Sequence, residues 1–255
     1  MKKRTNKLPL IISGSLLSLS QLAMAADNDK LFNLQIGIAG VANTSVYSGI
    51  TEEHAFVPLV MASYKNFYFH GDTAGYRFYQ TEKGSALSLE LGYTSDGYNS
   101  TDGSVFSGMD DRKGAWEIGL AYETMVVGGQ FSANLMQDIG ESHQGLSVQF
   151  NYERPFWMGP SHMVSWYAGA DFWDQERTNY YYGVNTSEVK AGRQEYKASA
   201  NTSLYIGTNA VKQLNSKLAL MLNAQYLMVG EAVDDSPLVN RDDQWSMLAA
   251  VIYQF

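Results

Sequence analysis

The sequence predicts an all-β fold, a transmembrane antiparallel up-and-down β-barrel of the Gram-negative outer membrane. Three observations support this prediction. The chain opens with a leader typical of export, apolar and polar residues alternate with period two in one segment after another, and an aromatic residue ends the chain. No later segment is apolar enough for a membrane helix. A closed barrel is the other structure that pairs every backbone group inside a membrane.

The first 25 residues have the three regions of a secretory signal peptide. A positively charged region comes first and holds Lys2, Lys3, Arg4 and Lys7. An apolar run over 8–22 follows, and Ala23-Met24-Ala25 supplies the small residues of a cleavage site. The run is too short and too rich in serine to cross about 30 Å of hydrocarbon as a helix. We therefore predict a signal peptide over 1–25, cleaved near Ala25, and one barrel domain over 26–255.

Composition narrows the function classes. Removal of the leader would take away four basic residues and change the formal net charge from −8 to −12. Such an acidic protein is not expected to bind nucleic acid, because phosphates repel it. The chain has no cysteine, which excludes disulfides and thiolate metal sites.

Strict alternation marks the predicted strands, and 114–123 is the clearest case. Trp116, Ile118, Leu120 and Tyr122 share one face, whereas Glu117 lies on the other among small residues. The segments 85–93 and 145–154 repeat the pattern. A soluble sandwich also alternates, but aromatics at strand ends and a polar face of Gln, Asn, Ser and Glu favour a membrane wall around a wet lumen.

Ten strands are read directly from the pattern. They are 32–40, 55–64, 85–94, 114–123, 128–137, 145–154, 162–173, 196–208, 217–228 and 245–255. The segment 66–80 decides the total. Two short strands around Gly71 to Gly75 place all long connections on one side and give twelve strands, which suits the even number and long outer loops of bacterial barrels. The alternative is ten strands, with 66–80 outside the spanning wall.

The last strand carries an assembly signal. Its outward face is predicted to consist of Trp245, Met247, Ala249, Val251, Tyr253 and Phe255. Tyr253 and the terminal Phe255 resemble the strand signal that the barrel assembly machinery recognises. The other expected partners are outer-membrane lipid and lipopolysaccharide, since acidic residues concentrate in the predicted outer loops, where divalent cations bridge lipid phosphates.

Several blocks resemble the MipA/OmpV family of outer-membrane proteins. They are Gly108-Met109-Asp110-Asp111-Arg112-Lys113, Asp138-Ile139-Gly140 with Gly145, Tyr180-Tyr181-Tyr182-Gly183-Val184 with Glu188 and Tyr196, Asp235-Ser236-Pro237-Leu238-Val239, and Tyr253-Gln254-Phe255. The resemblance covers nearly the whole mature chain. It implies an outer-membrane barrel. Some members are described as scaffolds that join a lytic transglycosylase to a murein-synthesising penicillin-binding protein, and others as porin-like or adhesive antigens.

No catalytic, cofactor-binding or metal-binding constellation is predicted, so the expected protein is not an enzyme. Glu141-Ser142-His143 places hydrolase residue types side by side. Neighbours in an extended chain point apart, however, and a triad needs groups within hydrogen-bond reach. The chain also has no hydrolase elbow, zinc-protease motif or phosphate loop.

Three functions remain open: a scaffold, a small cation-favouring pore and a surface adhesin. For the scaffold, the candidate contacts are Arg154, Phe156, Trp157, Tyr180, Tyr181 and Tyr182. The aromatics at 156–157 could instead belong to a membrane girdle, and the tyrosines to a folded loop. For the pore, the candidate lumen-lining residues are Glu90, Glu117, Glu123, Glu153, Asp171 and Lys197. Acidic rings favour cations, but barrels of ten to twelve strands are narrow.

Overall fold

The computed structural model describes residues 32–50 and 52–255, so the predicted signal peptide lies outside the described residues. The described residues form twelve strands: β1 Phe32–Thr44, β2 Glu52–Tyr64, β3 Phe67–His70, β4 Thr73–Gln80, β5 Ala86–Thr94, β6 Ala115–Val126, β7 Gly129–Asp138, β8 Leu146–Gly159, β9 His162–Trp173, β10 Asn201–Gln213, β11 Leu218–Met228 and β12 Asp243–Gln254. Each pairs with its neighbours in the chain, and β12 pairs with β1 to close the barrel. The twelve-strand prediction is confirmed, and the ten-strand alternative is wrong.

Pairing places the long connections at one end. The segments 45–50, 95–114, 174–200 and 229–242 share that end, together with the turns at 71–72 and 139–145. Short turns join the strands at the opposite, periplasmic end. No helix among the described residues is long and apolar enough to cross a membrane.

Several predicted strand boundaries are wrong by three to five residues, and two of them have a clear structural reason. We predicted a strand from 196, but β10 begins at Asn201 because Tyr196 pairs with Val184 in an outer loop, where each N–H donates to the other carbonyl. We predicted that the β8 strand ends at 154, but it continues to Gly159. The register shifts between Pro155 and Trp157 because proline cannot donate to the ladder, so it sits at an irregularity.

Aromatic pairs mark the membrane interfaces. On the outer side, Tyr93 packs on Trp116 with ring centroids 5.3 Å apart, and Tyr226 on Trp245 at 4.7 Å. At the periplasmic side, Tyr152 packs on Trp166 at 5.6 Å. These positions correspond to the two aromatic girdles of an outer-membrane barrel.

The barrel interior is not the uniformly wet lumen that the alternation suggested. One side holds a dry apolar cluster of Ala39, Val41, Leu59, Met61, Val211, Met221, Leu248, Ala250 and Ile252. These residues come from β1, β2, β10, β11 and β12 and face inward, while Trp245, Met247 and Val251 face outward. Where the cluster lies, both faces of these strands are therefore apolar, a pattern that alternation of polarity does not reveal. The same strands also carry buried polar residues that face inward, among them Gln35, Asn209, Asn223 and Ser246.

Inward tyrosines lie over inward glycines on adjacent strands. Tyr68 is paired directly with Gly75, Tyr167 with Gly207 and Tyr205 with Gly169. A Cβ added at any of these glycines would overlap the tyrosine ring. The glycines therefore give the rings the room to lie flat against the wall, which is the close packing typical of glycine within strands.

Replacing Gly207 with alanine should lower the free energy of unfolding by about 1–3 kcal/mol, the usual cost of overpacking. Tyr167 is fully buried and its hydroxyl donates to Gln225 Oε1 at 3.1 Å, so the ring cannot move without disturbing that bond. Urea unfolding of the refolded barrel measures the change. The matched control is Gly40→Ala, whose added Cβ would meet Phe56 at an ordinary 3.5 Å. Equal unfolding midpoints for the two variants would contradict the packing argument.

Candidate functional site

The four long outer connections fold together into one structure, which we call the cap: 45–50, 95–114, 174–200 and 229–242. It contains helix α1 Gln175–Tyr182 and the short helix α2 Glu231–Asp234. Its buried core consists of Val46, Tyr47, Tyr98, Phe106, Met109, Tyr181, Tyr182, Val184, Val233 and Leu238. Phe106 and Leu238 are completely buried. The outer loops are therefore a packed layer over the end of the barrel.

The tyrosine block lies inside the cap. Tyr181 and Tyr182 are 1% and 4% exposed. Tyr182 stacks on Tyr47 with centroids 5.4 Å apart, and burial raises its pKa. Tyr180 is half-buried, and its hydroxyl accepts a hydrogen bond from the Lys113 N–H. The hypothesis that Tyr181 and Tyr182 contact a partner is wrong, since both rings form the core of a folded loop.

A buried ion pair fastens two cap loops together. The Arg112 guanidinium donates to both carboxylate oxygens of Glu188, at 2.8 and 3.0 Å, and to the Tyr180 carbonyl. Burial acts to raise the pKa of Glu188. The N–H groups of Asn185 and Asp110 and the Arg112 charge outweigh burial, so this pKa lies below its ordinary value of 4.5.

The cap should loosen in acid because of Glu188. A carboxyl whose pKa is depressed by folding stabilises the folded state above the unfolded pKa, and that stabilisation is lost as the pH falls through the folded value. We therefore expect the near-ultraviolet circular dichroism of the cap tyrosines to weaken as the pH falls below about 4.5. A Glu188→Gln variant should start from a weaker signal and change less over this range. An identical acid transition in both proteins would show that another group controls it.

Arg177 joins the cap to the barrel interior. Helix α1 begins after Asp174, whose carboxylate accepts from the backbone N–H groups of Arg177 and Leu146 and so fixes the helix to β8. The buried Arg177 guanidinium donates to Asp96 at 3.0 Å and to Glu117, and it lies 4.3 Å from the Trp173 ring centroid. Burial acts to lower the pKa of Arg177, but the two carboxylates outweigh it and raise the pKa.

The Ser142 and His143 pair is part of a structural loop. Ser142 Oγ donates to the Gly114 carbonyl at 3.0 Å. The buried His143 accepts the Gly145 N–H at its Nδ1, so its neutral form carries the proton on Nε2, which lies 3.4 Å from Glu117. Asp138 organises the loop by accepting three backbone N–H groups at 2.6–2.8 Å.

Most of the predicted lumen-lining residues lie on the inner face of the wall, but Lys197 does not. Glu90, Glu117 and Glu153 are buried, and Glu123 and Asp171 are partly buried. Glu90 accepts from the Tyr68 hydroxyl, and Glu153 from Ser165 and Asn209. Lys197 precedes β10 and is exposed in the cap. Its placement in a strand was wrong for the same reason as the β10 boundary.

A layer of hydrogen-bonded side chains fills one part of the barrel interior, and a cavity remains beside this layer. Tyr167, Asn209, Asn223 and Gln225 form a hydrogen-bonded layer in which Asn223 donates to both Tyr167 and Asn209 at 2.8 Å. Between β2 and the β4–β9 wall a cavity of about 510 Å³ remains. Arg177 and Asp96 lie on its cap side. Sequence reasoning missed Arg177, although Asp174 before Gln175-Glu176 is a helix-start signal.

The β8–β9 hairpin carries an exposed apolar tip, 154–162. Phe156, Trp157 and Met158 are 64%, 58% and 65% exposed. They lie beyond the Tyr152–Trp166 girdle pair, and β7 pairs with β8 only as far as Glu153. At ~3.3 Å per residue and a tilt of ~40°, Trp157 lies about 10 Å past that last pair.

A family model described as "MltA-interacting protein MipA" matches residues 36–255. The chain belongs to this family. OmpV, an outer membrane protein of Vibrio cholerae, is 29% identical over 74% of this chain and 77% of its own length. The MltA-interacting protein of Escherichia coli K12 is 24% identical over 98% and 99%. The NanC porin, a solved structure, is 7% identical with a TM-score of 0.45 over 86% of this chain and 100% of its own. The family match, the outer-membrane relatives and the closed twelve-strand sheet identify the chain as an outer-membrane barrel.

Three of the five sequence blocks that carried the resemblance meet in this family member's cap, while the Asp138 block lies in the β7–β8 turn and the last block ends β12 at the periplasmic end. Arg112 binds Glu188, Ser236 Oγ donates to the Tyr182 carbonyl, and the Ser48 N–H donates to the Leu238 carbonyl. Blocks more than 100 residues apart in the chain therefore serve one purpose, which is to hold the outer loops together.

Proposed function

We propose that this MipA-family barrel is an interaction scaffold whose periplasmic tip binds a lytic transglycosylase of the murein machinery. The observation that carries the proposal is the exposed Phe156-Trp157-Met158 face beyond the girdle. Large aromatics dominate the energy of protein interfaces. The exposed Arg154 beside them adds a charge at the rim. The name of the Escherichia coli relative supports the choice of partner.

The obstructed interior supports a scaffold over a pore. The cap packs over the outer end, and the Tyr167–Asn209–Asn223 layer occupies the interior below it. Small barrels commonly fill with side chains in this way. The scaffold proposal therefore expects no conductance steps from the purified barrel in planar bilayers. Cation-selective steps of constant size would favour the porin-like alternative.

Crosslinking in intact cells, followed by purification of the barrel, tests the scaffold. We expect a lytic transglycosylase to be recovered with the wild-type protein. A Phe156→Ala/Trp157→Ala variant should bind it at least 30-fold more weakly, since one aromatic anchor contributes about 2 kcal/mol or more. The matched control is Trp116→Ala, which removes an exposed aromatic of the outer girdle. Absence of the partner, or equal recovery with both variants, would contradict the proposal.

A further inference from the structure

The barrel wall has a lateral gap beside β2. Strand β3 has four residues where β2 has 13, and Met61 with His70 is their outermost pair. The Gly71 N–H adds one bond to the Val60 carbonyl. Among the described residues, 52–59 of β2 therefore have no strand partner on this edge. We call this gap the notch.

The interior cavity opens through the notch. Three runs of consecutive residues border the cavity: 57–59 on β2, 71–73 at the hairpin turn and 92–96 at the end of β5. Successive residues of a strand point to opposite faces, so a cavity confined to the lumen would touch every second residue. In 57–59 and 92–94, which lie in β2 and β5, residues of both faces border the cavity, so it reaches these strand edges and extends between them.

The notch faces the outer leaflet of the membrane. On the β5 side, the edge of the notch nearest the periplasm lies at the level of Tyr93. The Tyr93 N–H donates to the Asp72 carbonyl, and its ring packs on Trp116 in the outer girdle. Barrel strands tilt by about 35–45°, so hydrogen-bonded neighbours lie at different depths. On the β2 side this edge lies deeper in the membrane, because the outermost hydrogen bond between β2 and the hairpin is the one to Val60, eight residues from the outer end of β2.

The residues that line the cavity change from apolar at the notch to acidic inside the barrel. Val57, Pro58 and Leu59 border the entrance, and Met136 lies inside. Five carboxylates line the cavity, namely Asp72, Glu90, Asp96, Glu117 and Asp171, against the single cation Arg177. That cation already pairs with Asp96 and Glu117. Asn134 adds a buried side-chain oxygen that has no hydrogen-bond partner in the described structure.

We propose that this cavity binds a cationic amphiphile that enters sideways from the outer leaflet. Its amino group lies among Glu90, Asp171 and the Asn134 oxygen, and its alkyl chain leaves between β2 and β5 into the lipid. The volume of about 510 Å³ lies within the ~300–1,000 Å³ of small-molecule sites. Low dielectric around the carboxylates strengthens the attraction for a cation. The site is independent of the periplasmic tip, so either proposal can fail alone.

Photolabelling of the full barrel in lipid nanodiscs tests the site. The probes are a hexadecylamine and a hexadecanoic acid that carry the same photoreactive diazirine. We expect the amine to label the peptides around 57–59 and Met136 at least tenfold more than the acid does. Equal labelling by the two probes, or labelling spread evenly over the lipid-facing wall, would show ordinary lipid contact and overturn the proposal.

Two variants locate the binding. A Cβ at Gly92 would meet Thr73 Oγ1 at 3.3 Å and Met136 Cε at 3.6 Å, so Gly92→Leu fills the cavity. Asp171→Asn removes one negative charge from the cavity and preserves the size of the side chain. Each should reduce amine labelling at least tenfold, whereas Gly40→Leu on the outer face should not. Heat modifiability on gels verifies folding, and Asp171→Asn decides the question if Gly92→Leu does not fold. Undiminished labelling of a folded Asp171→Asn protein would overturn the proposal.

Discussion

Replacing Arg177 with methionine should lower the free energy of unfolding by about 3–5 kcal/mol, because it leaves buried carboxylates without their cation. Arg177 is 5% exposed and holds both Asp96 and Glu117. It also connects helix α1 to Ser147 on β8 at 2.8 Å. The cap should therefore separate from the barrel before the wall unfolds. Limited proteolysis of the cap loops and urea unfolding measure the two steps.

The controls separate the ion pairs from the loss of any arginine. Arg154 is exposed at the periplasmic tip, so Arg154→Met should change the unfolding midpoint little. Adding Asp96→Asn and Glu117→Gln to Arg177→Met should recover part of the lost stability, since neutral amides leave smaller desolvation costs than unpaired charges. If Arg177→Met has the same unfolding midpoint and the same protease resistance as Arg154→Met, the ion pairs of Arg177 do not hold the cap on the barrel.

Phe255→Ala should reduce the amount of barrel in the outer membrane several-fold while leaving the folded barrel almost as stable. Phe255 is 59% exposed, so truncation removes far less than the ~3–5 kcal/mol of a buried phenylalanine. Its N–H donates to the Leu34 carbonyl, a bond that alanine keeps. An unassembled chain, by contrast, exposes apolar strands to the periplasm and aggregates. Loss of the terminal signal prolongs that exposure.

Quantitative blotting of outer-membrane fractions measures assembly, and thermal unfolding of the refolded proteins measures stability. Phe32→Ala is the matched control, because Phe32 is a similarly exposed aromatic at the periplasmic end of β1. We expect its outer-membrane level to stay near that of the wild type. A normal outer-membrane level of Phe255→Ala together with a clearly lower melting temperature would show that Phe255 stabilises the folded barrel and is not needed for its assembly.

The sequence by itself determined the strands of the barrel wall and their number. Alternation is a local property, because a strand turns successive side chains to opposite faces whatever lies around it. The residues of 114–123 therefore predicted β6 to within a few positions. The count of twelve followed from placing the long connections on one side, which required 66–80 to be a hairpin. The hairpin's shortness was also visible in the sequence, although its consequence for the wall was not.

Only the tertiary structure decided what covers the outer end of the barrel and where the wall opens. The contacts of Arg112 with Glu188 and of Arg177 with Asp96 join residues 76 and 81 positions apart, and no local pattern encodes such pairs. The dry side of the interior was hidden as well, since strands such as β12 are apolar on both faces. The notch arises because β3 is nine residues shorter than β2, and a missing partner is a property of two strands together.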